Sequence, residues 1–508
     1  MFDFIRPVPA NTISDLQTLR SSSEFSSFLF KAILPAKLDL KKNNSEWETN
    51  TRKLVNEVTL ALRPLSEKWI SLEDEYAETR TRWNLQRTFV SVAEILLKQL
   101  HIMLEFIDYS SADLDLKLLI ETVATYDSSL YAWSNNVCSE LSNKIANDLQ
   151  ISAERKLVVC HEILAISLRP AFQSIKRRNV SNAGRISLER DHELGHAFTT
   201  EEPRSWSDLR PEAASILLYI VKHCHNMDFF RNNWALIVPS TLVIIDDPDP
   251  TYKTQGSLIL EQILLECNPN FISNTGLVPV FWESLMNCLT YLPYGIGAIS
   301  VKESRELLKV SYRVLIQLAS ISSIEPAQSK SVLFSDSRVV LNESTYARRL
   351  GQIVTDGIFH GMSVGSDEVE ISNLLIGELQ TVCKLMKFRF AVYLQESVKI
   401  LVNILSNPFA TLYTPLLITT LDTFDTIIVE TAARIHIYRY YILKGILFCW
   451  RQSLDGENIE DISFLQAKLK STAKALEKCC EGEVNDVDWH ATVQRIIQSD
   501  VRFEEIFV

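Results

Sequence analysis

An all-α chain built as a solenoid of antiparallel helix pairs is the architecture this sequence predicts, and three observations carry it. Turn-forming residues are scarce, with 14 glycines and 16 prolines in 508 residues, roughly half the usual share. Apolar residues recur at helical spacing in nearly every window tested, where strands would alternate. In the second half of the chain, helix pairs are expected to start near Trp234, Phe281, Tyr346, Phe390 and Thr431. Apart from one interval these lie about 40–47 residues apart, the period of HEAT or armadillo-like repeats. Hydrophobic residues at 46% and charged residues at 22% are ordinary for a globular protein with a large core.

The first 175 residues form an N-terminal helical region, marked by the stripe Phe89, Val92, Ala93, Leu96, Leu100 and Leu104. A polar linker or loop over 176–205 follows, with few apolar residues. HEAT-like repeats are expected over 206–455, with stripes at Phe281, Leu285, Cys288 and Leu292, then at Leu308, Tyr312, Leu315 and Ala319. Further stripes are Leu394, Val398, Leu401 and Leu405, and Leu417, Leu421, Phe424 and Ile428. A serine-rich loop at 320–337 containing Pro326 interrupts the repeats and accounts for the one long interval. Residues 456–508 complete the chain as C-terminal helices. Each stripe reads as core packing, because a 3.6-residue period is what any half-buried helix shows.

The clearest unit runs from Trp234 to Ile263. A first helix carrying Pro239 ends at the acidic turn Asp246, Asp247, Pro248, Asp249. Asp249 is placed to cap the next helix, with Pro250 in the first turn, where its missing N–H costs nothing. Tyr252, Gly256, Ile259, Leu260 and Ile263 then make the buried face. Lys253 is expected to pair with Asp246, Asp247 or a neighbouring repeat as an exposed ion pair contributing about 0–1 kcal/mol.

Several constellations imitate chemistry. His192-Glu193-Leu194-Gly195-His196 matches H-E-x-x-H, in which two histidines four apart hold zinc and the glutamate activates water. Its setting argues against a metallopeptidase: Glu189, Arg190 and Asp191 precede it in the least apolar stretch, and Thr199 and Glu202 stand where a metzincin needs Gly and His. Leu242 to Asp247 imitates a Walker B strand, but no G-x-x-x-x-G-K-[ST] accompanies it. His223-Cys224-His225 has metal-binding residue types whose neighbours point around a helix, so one buried thiol is the expectation. Gly357, Gly361 and Gly365 read as turn or close-packing positions. No catalytic residue, metal or cofactor is assigned.

Net charge is −12, and an acidic surface without a strongly basic block repels nucleic acid and anionic membrane. The longest apolar runs are broken by Lys444 and by Asp422 and Asp425. Nine scattered cysteines, without a C-x-x-C pair, suit a reducing compartment. The start, Met1 to Pro7, lacks the basic and apolar regions of a secretory signal.

The stretch Ile237 to Asp247, followed by Lys253-Thr254-Gln255-Gly256, resembles the signature segment of the family of the Tel-Two-interacting protein of the second kind, a subunit of the TTT complex. Trp234 and chain length fit, and Tyr346-Ala347-Arg348-Arg349-Leu350 resembles the family's arginine-bearing helix start. The likeness covers roughly 206–450. It implies a non-catalytic α-solenoid assembled with the Tel-Two protein and the first Tel-Two-interacting protein. Such a trio is a co-chaperone adaptor for phosphatidylinositol 3-kinase-related kinases, including TOR and the telomere and DNA-damage kinases. It hands them to the heat-shock chaperone machinery, in cytoplasm and nucleus. Pro239, Asp246, Asp247, Lys253 and Gly256 are then structural determinants of the repeat turn. Tyr438, Tyr440, Tyr441 and Trp450 form a candidate partner-binding anchor, because aromatic side chains dominate interface energies. A helical-repeat transport or membrane-traffic adaptor is the alternative that shares the period, and a zinc metallopeptidase using His192, Glu193 and His196 is a remote one.

Overall fold

The structure is a computed structural model, and it describes residues 45–64, 80–104, 115–129, 131–149, 151–173, 206–293, 299–324, 343–365, 367–454, 459–480 and 486–507. Their regular elements are all helices, with no β-strand among them. The chain divides into two compact units, Met1–Ile244 and Ile245–Val508.

In the first unit, α1 (Ser45–Ala61) packs on α2 (Arg80–Leu104) and α3 (Leu116–Thr125), and α4 (Asn136–Asp148) packs on α2 and α3. The long stripe on α2 is core: Val92, Ala93, Leu96, Leu100 and Leu104 are all buried. Two helices start on sequence-encoded caps, Asp115 accepting from the Leu118 N–H at 3.0 Å and Asn135 from the Cys138 N–H at 2.8 Å. α5 (Ala153–Glu162) continues through a π-helical turn, Ile163–Leu168, into α6 (Arg169–Gln173). After the short α7 (Trp206–Leu209), α8 (Ala213–His223) lies against α3, and α9 (Met227–Ile245) carries Pro239. Glu121 is the buried polar hub of this unit. It accepts from Arg63 at 3.2 Å and from Arg210 at 3.4 Å, and Arg210 also donates to Glu212 and the Ser167 carbonyl.

The second unit begins with α10 (Pro250–Glu266), α11 (Pro269–Asn274), α12 (Val278–Cys288) and α13 (Val301–Ser322). The first of these starts as the sequence dictates, with Asp249 accepting from the Thr251 N–H at 2.8 Å and Pro250 in the first turn. A capping box opens α13, where Ser300 and Glu303 satisfy each other's backbone N–H groups. Then come α14 (Glu343–Gln352), a π-helical turn (Ile353–Phe359), α15 (His360–Gly365) and α16 (Val369–Met386). A 3₁₀ turn, Lys387–Tyr393, leads to α17 (Leu394–Leu405), and a second, Ala410–Tyr413, to α18 (Thr414–Glu430). α19 (Ala432–Ile435) and a third 3₁₀ turn, His436–Tyr438, precede α20 (Arg439–Leu454) and α21 (Ile459–Cys480). α22 (Asp486–Ser499), a 3₁₀ turn Val501–Phe503 and α23 (Glu504–Phe507) end the described chain.

Packing in this unit is serial. α10, α13, α16, α18 and α21 each lie against the next, while α12 packs on α13, α15 on α16, α17 on α18 and α20 on α21. The apolar stripes on α12, α13, α17 and α18 face this core, each of their residues at most 2% exposed. Two of the spaced glycines are close-packing positions: a Cβ at Gly357 would sit 2.8 Å from Leu289 Cδ1, and one at Gly361 3.0 Å from Leu375 Cδ1. Of the expected helix-pair starts, Phe281 and Tyr346 lie in the first turn of α12 and α14 and Thr431 directly precedes α19, whereas Trp234 lies well inside α9 and Phe390 falls in the 3₁₀ turn before α17. The serine-rich stretch begins on α13, which runs to Ser322, and residues 325–342 lie outside the described residues.

By length and composition the span Ala410–Glu430 could cross a bilayer. It packs between α16 and α21, where Asp422 and Asp425 both accept from Lys468 Nζ, at 2.6 and 2.7 Å. The acids that interrupt the apolar run therefore join two helices.

Candidate partner-binding surface

His192, Glu193 and His196, like all of 174–205, lie outside the described residues. Elsewhere the constellations that imitate chemistry resolve into packing. Leu242 to Ile245 is the last turn of α9, not a strand. Cys224 is buried at the C-terminus of α8, where its N–H bonds the Ile220 carbonyl, and its thiol meets that of Cys160, which raises its pKa. His225 is exposed, and burial together with Lys156 pulls the half-buried His223 down to about 4. Among the described residues no three His, Cys, Asp or Glu side chains come together to hold a metal. Cys138, Cys160, Cys224, Cys267, Cys288, Cys383, Cys449 and Cys479 are free thiols, and burial pushes Cys288 up to about 11 and Cys449 up to about 12.

The repeat turn is built differently from the exposed ion pair expected of it. Asp246 and Pro239 are exposed, whereas Asp247, Lys253 and Gly256 are buried. Lys253 is only 5% exposed. Its Nζ donates to the Ile245 carbonyl at 2.8 Å and lies 4.7 Å from the centre of the Tyr291 ring. The lysine thus closes the end of the preceding helix from within, because α10 is buried on nearly all sides at Lys253, Gln255, Gly256 and Ser257. Asp247 accepts from the Asp249 N–H at 3.0 Å and shapes the turn. In the arginine-bearing segment, the Arg349 guanidinium stacks 4.4 Å from the Trp282 ring centre and donates to Gln352.

The four aromatics of the proposed anchor separate in space. Trp450 is 1% exposed, and its indole N–H donates to the Arg502 carbonyl at 3.0 Å, so it is a core residue, not an interface residue. Helical periodicity explains the correction: Ile442, Leu443, Ile446, Cys449 and Trp450 share the buried face of α20. Tyr440 and Tyr441 lie on the outer side and are exposed, and Tyr438 is half-buried. Tyr440 stacks on Trp489 with ring centres 6.2 Å apart and has Arg439 over its ring at 4.7 Å.

Alongside Tyr440 runs an apolar groove of about 440 Å³. One wall is the face of α20 bearing Tyr440, Leu443, Lys444, Leu447, Phe448 and Arg451. Thr492 and Ile496 of α22, with Phe503, form the other. Further apolar side chains stand in solvent at or beside the 3₁₀ turns: Phe388 and Val392, Phe409 and Leu412, and Ile437. Sequence reasoning missed these five, because they fall where the helical period breaks and no stripe identifies their environment.

A sequence model of the Tti2 family matches residues 119–412, more than half of the chain. The chain belongs to the Tti2 family. The match runs from the middle of α3 to the second 3₁₀ turn, and so takes in the repeat turn from Pro239 to Gly256 and the Arg349–Trp282 contact. The groove and the Tyr440–Trp489 pair lie beyond it, in the C-terminal part of this Tti2-family chain. No curated protein matches the chain.

Proposed function

We propose that this Tti2-family chain is a non-catalytic α-solenoid scaffold of the TTT complex. With the Tel-Two protein and the first Tel-Two-interacting protein, it supports the maturation, stability and assembly of phosphatidylinositol 3-kinase-related kinases. The heat-shock chaperone machinery is reached through the complex, and the setting is cytoplasm and nucleus. The family match over 119–412 carries this reading.

Two structural features support it. Serial packing of α10, α13, α16, α18 and α21, the last four each with a further helix packed on it, is the kind of arrangement by which helical repeats build a long binding surface. Exposed apolar side chains on the second unit, Phe388, Val392, Phe409, Leu412 and Ile437, supply contact area where an extended partner can bury it. The Cys288 and Cys449 thiols fit a structural role as well, since burial keeps them protonated and unreactive.

Mass spectrometry of proteins co-purifying with a tagged full-length copy tests the proposal. The other two subunits and kinases of the TOR class are expected. Small GTPases or coat subunits in their place would overturn it in favour of a traffic adaptor. One zinc bound per chain and lost in His192→Ala, with peptidase activity, would make it an enzyme.

A further inference from the structure

We infer that the groove between α20 and α22 docks an acidic amphipathic helix from a partner protein. This rests on the scaffold reading and adds the chemistry of what is held.

The shape of the groove selects a helix. Its α20 wall presents positions 440, 443, 444, 447, 448 and 451, one face over three turns, about 16 Å long. Phe448 and Tyr440 on this wall are 46% and 39% exposed, and Leu447 is half-exposed. Both long walls are helices whose backbone groups are already paired, so the groove offers no strand edge to an extended peptide. A segment entering apolar surroundings must therefore satisfy its own peptide groups internally, which an α-helix does. Apolar residues at i, i+3 or i+4, and i+7 of that helix would fill the space.

Charge selects the sign. Among the described residues, Lys444 and Arg451 are the only charged ones lining the groove, and no carboxylate lines it. Both are exposed, and neither makes a hydrogen bond or ion pair among the described residues. Lys444 rests 5.8 Å from the Phe448 ring centre. Asp500, whose charge Arg451 feels, is already held by Arg502 through bonds of 3.0, 3.1 and 2.7 Å. In a chain of net charge −12, two exposed cations with no ion pair among the described residues, set at an apolar groove, form a local inversion of sign. They stand seven residues apart, about 10.5 Å along the axis. Carboxylates two turns apart on the incoming helix meet them, fixing its register while its apolar face supplies the buried area.

The test is photocrosslinking from a benzoylphenylalanine placed at Phe448 in the tagged full-length chain, followed by sequencing of the crosslinked peptide. The expected product is an acidic amphipathic segment of another protein with carboxylates seven positions apart. A synthetic copy of that segment should bind the purified chain. Lys444→Glu with Arg451→Glu should weaken its binding about tenfold or more, and exchanging its two carboxylates for lysines should restore binding to the doubly reversed chain. Both substitutions are at exposed positions, so an unchanged unfolding transition verifies the fold. Crosslinks to a second copy of this chain or to a segment without acidic residues, or affinity unmoved by charge reversal, would overturn the inference. So would the absence of a crosslink in a preparation where the other subunits co-purify, which leaves the scaffold reading standing. Failure of those subunits to co-purify would instead overturn the scaffold reading.

Discussion

Replacing Lys253 by methionine is expected to destabilise the second unit by about 2 kcal/mol. The substitution keeps the apolar stem, so burial area changes little, and removes two interactions of the ammonium. One is the 2.8 Å hydrogen bond to the Ile245 carbonyl; a hydrogen bond from a charged donor contributes about 1.5–3 kcal/mol. The other is the contact 4.7 Å from the Tyr291 ring centre, about 0.5–2 kcal/mol. Against these stands the desolvation of a cation that is only 5% exposed, which the methionine is spared and which offsets about half of the gain. A net loss of about 2 kcal/mol lowers the thermal midpoint of a unit this size by about 4–8 °C. Thermal and urea unfolding of the full-length protein reads it out. Lys399→Met is the control, an exposed lysine paired with the exposed Glu396 at 3.4 Å, where less than about 1 kcal/mol is expected. A double-mutant cycle with Tyr291→Leu should return a coupling near 1 kcal/mol. If Lys253→Met unfolds within about 0.5 kcal/mol of the parent, the lysine does not close the helix end and the account of the repeat turn is wrong.

Trp450→Ala should cost about 3–5 kcal/mol of stability, measured by urea unfolding, because the ring is fully buried and its N–H is bonded to Arg502. Tyr441→Glu, at an exposed position, should leave unfolding within about 0.5 kcal/mol and instead reduce recovery of co-purifying subunits. Glu378 has its pKa raised to about 7 by burial, against a smaller opposing pull from Arg313. The folded state thus holds a proton that the unfolded chain releases above pH 4.5, and this group removes stability as pH rises from 4.5 to 7. Glu378→Gln should then be about 1–2 kcal/mol more stable than the parent at pH 8, and level with it at pH 4.5. Gly357→Ala should destabilise by about 1 kcal/mol, since overpacking against Leu289 and the buried Tyr312 outweighs the better helix propensity. Gly377→Ala, whose nearest neighbour is Thr419 Cγ2 at 4.0 Å, should gain about 0.5–1 kcal/mol; calorimetry of the pair gives opposite signs if the packing account holds.

Local chemistry determined the helices, their caps and the face each one buries. A period of 3.6 in Phe424 or Leu401, an aspartate before Pro250, or a serine three residues before Glu303 acts within one or two turns, so the sequence alone reveals it. The family, too, was legible in the segment from Ile237 to Gly256. Tertiary structure decided which polar and aromatic groups stay in water, because that depends on a neighbouring helix far along the chain. Lys253 is as polar as Lys399, yet packing around α10 removes it from solvent and turns a surface charge into an internal clasp. Trp450 and Tyr441 sit on one helix, and only the arrival of the chain at Arg502 makes the first a core residue and leaves the second outside. The groove beside Tyr440 exists because α22 returns to α20, an encounter of residues some 50 positions apart that no periodicity within either helix encodes.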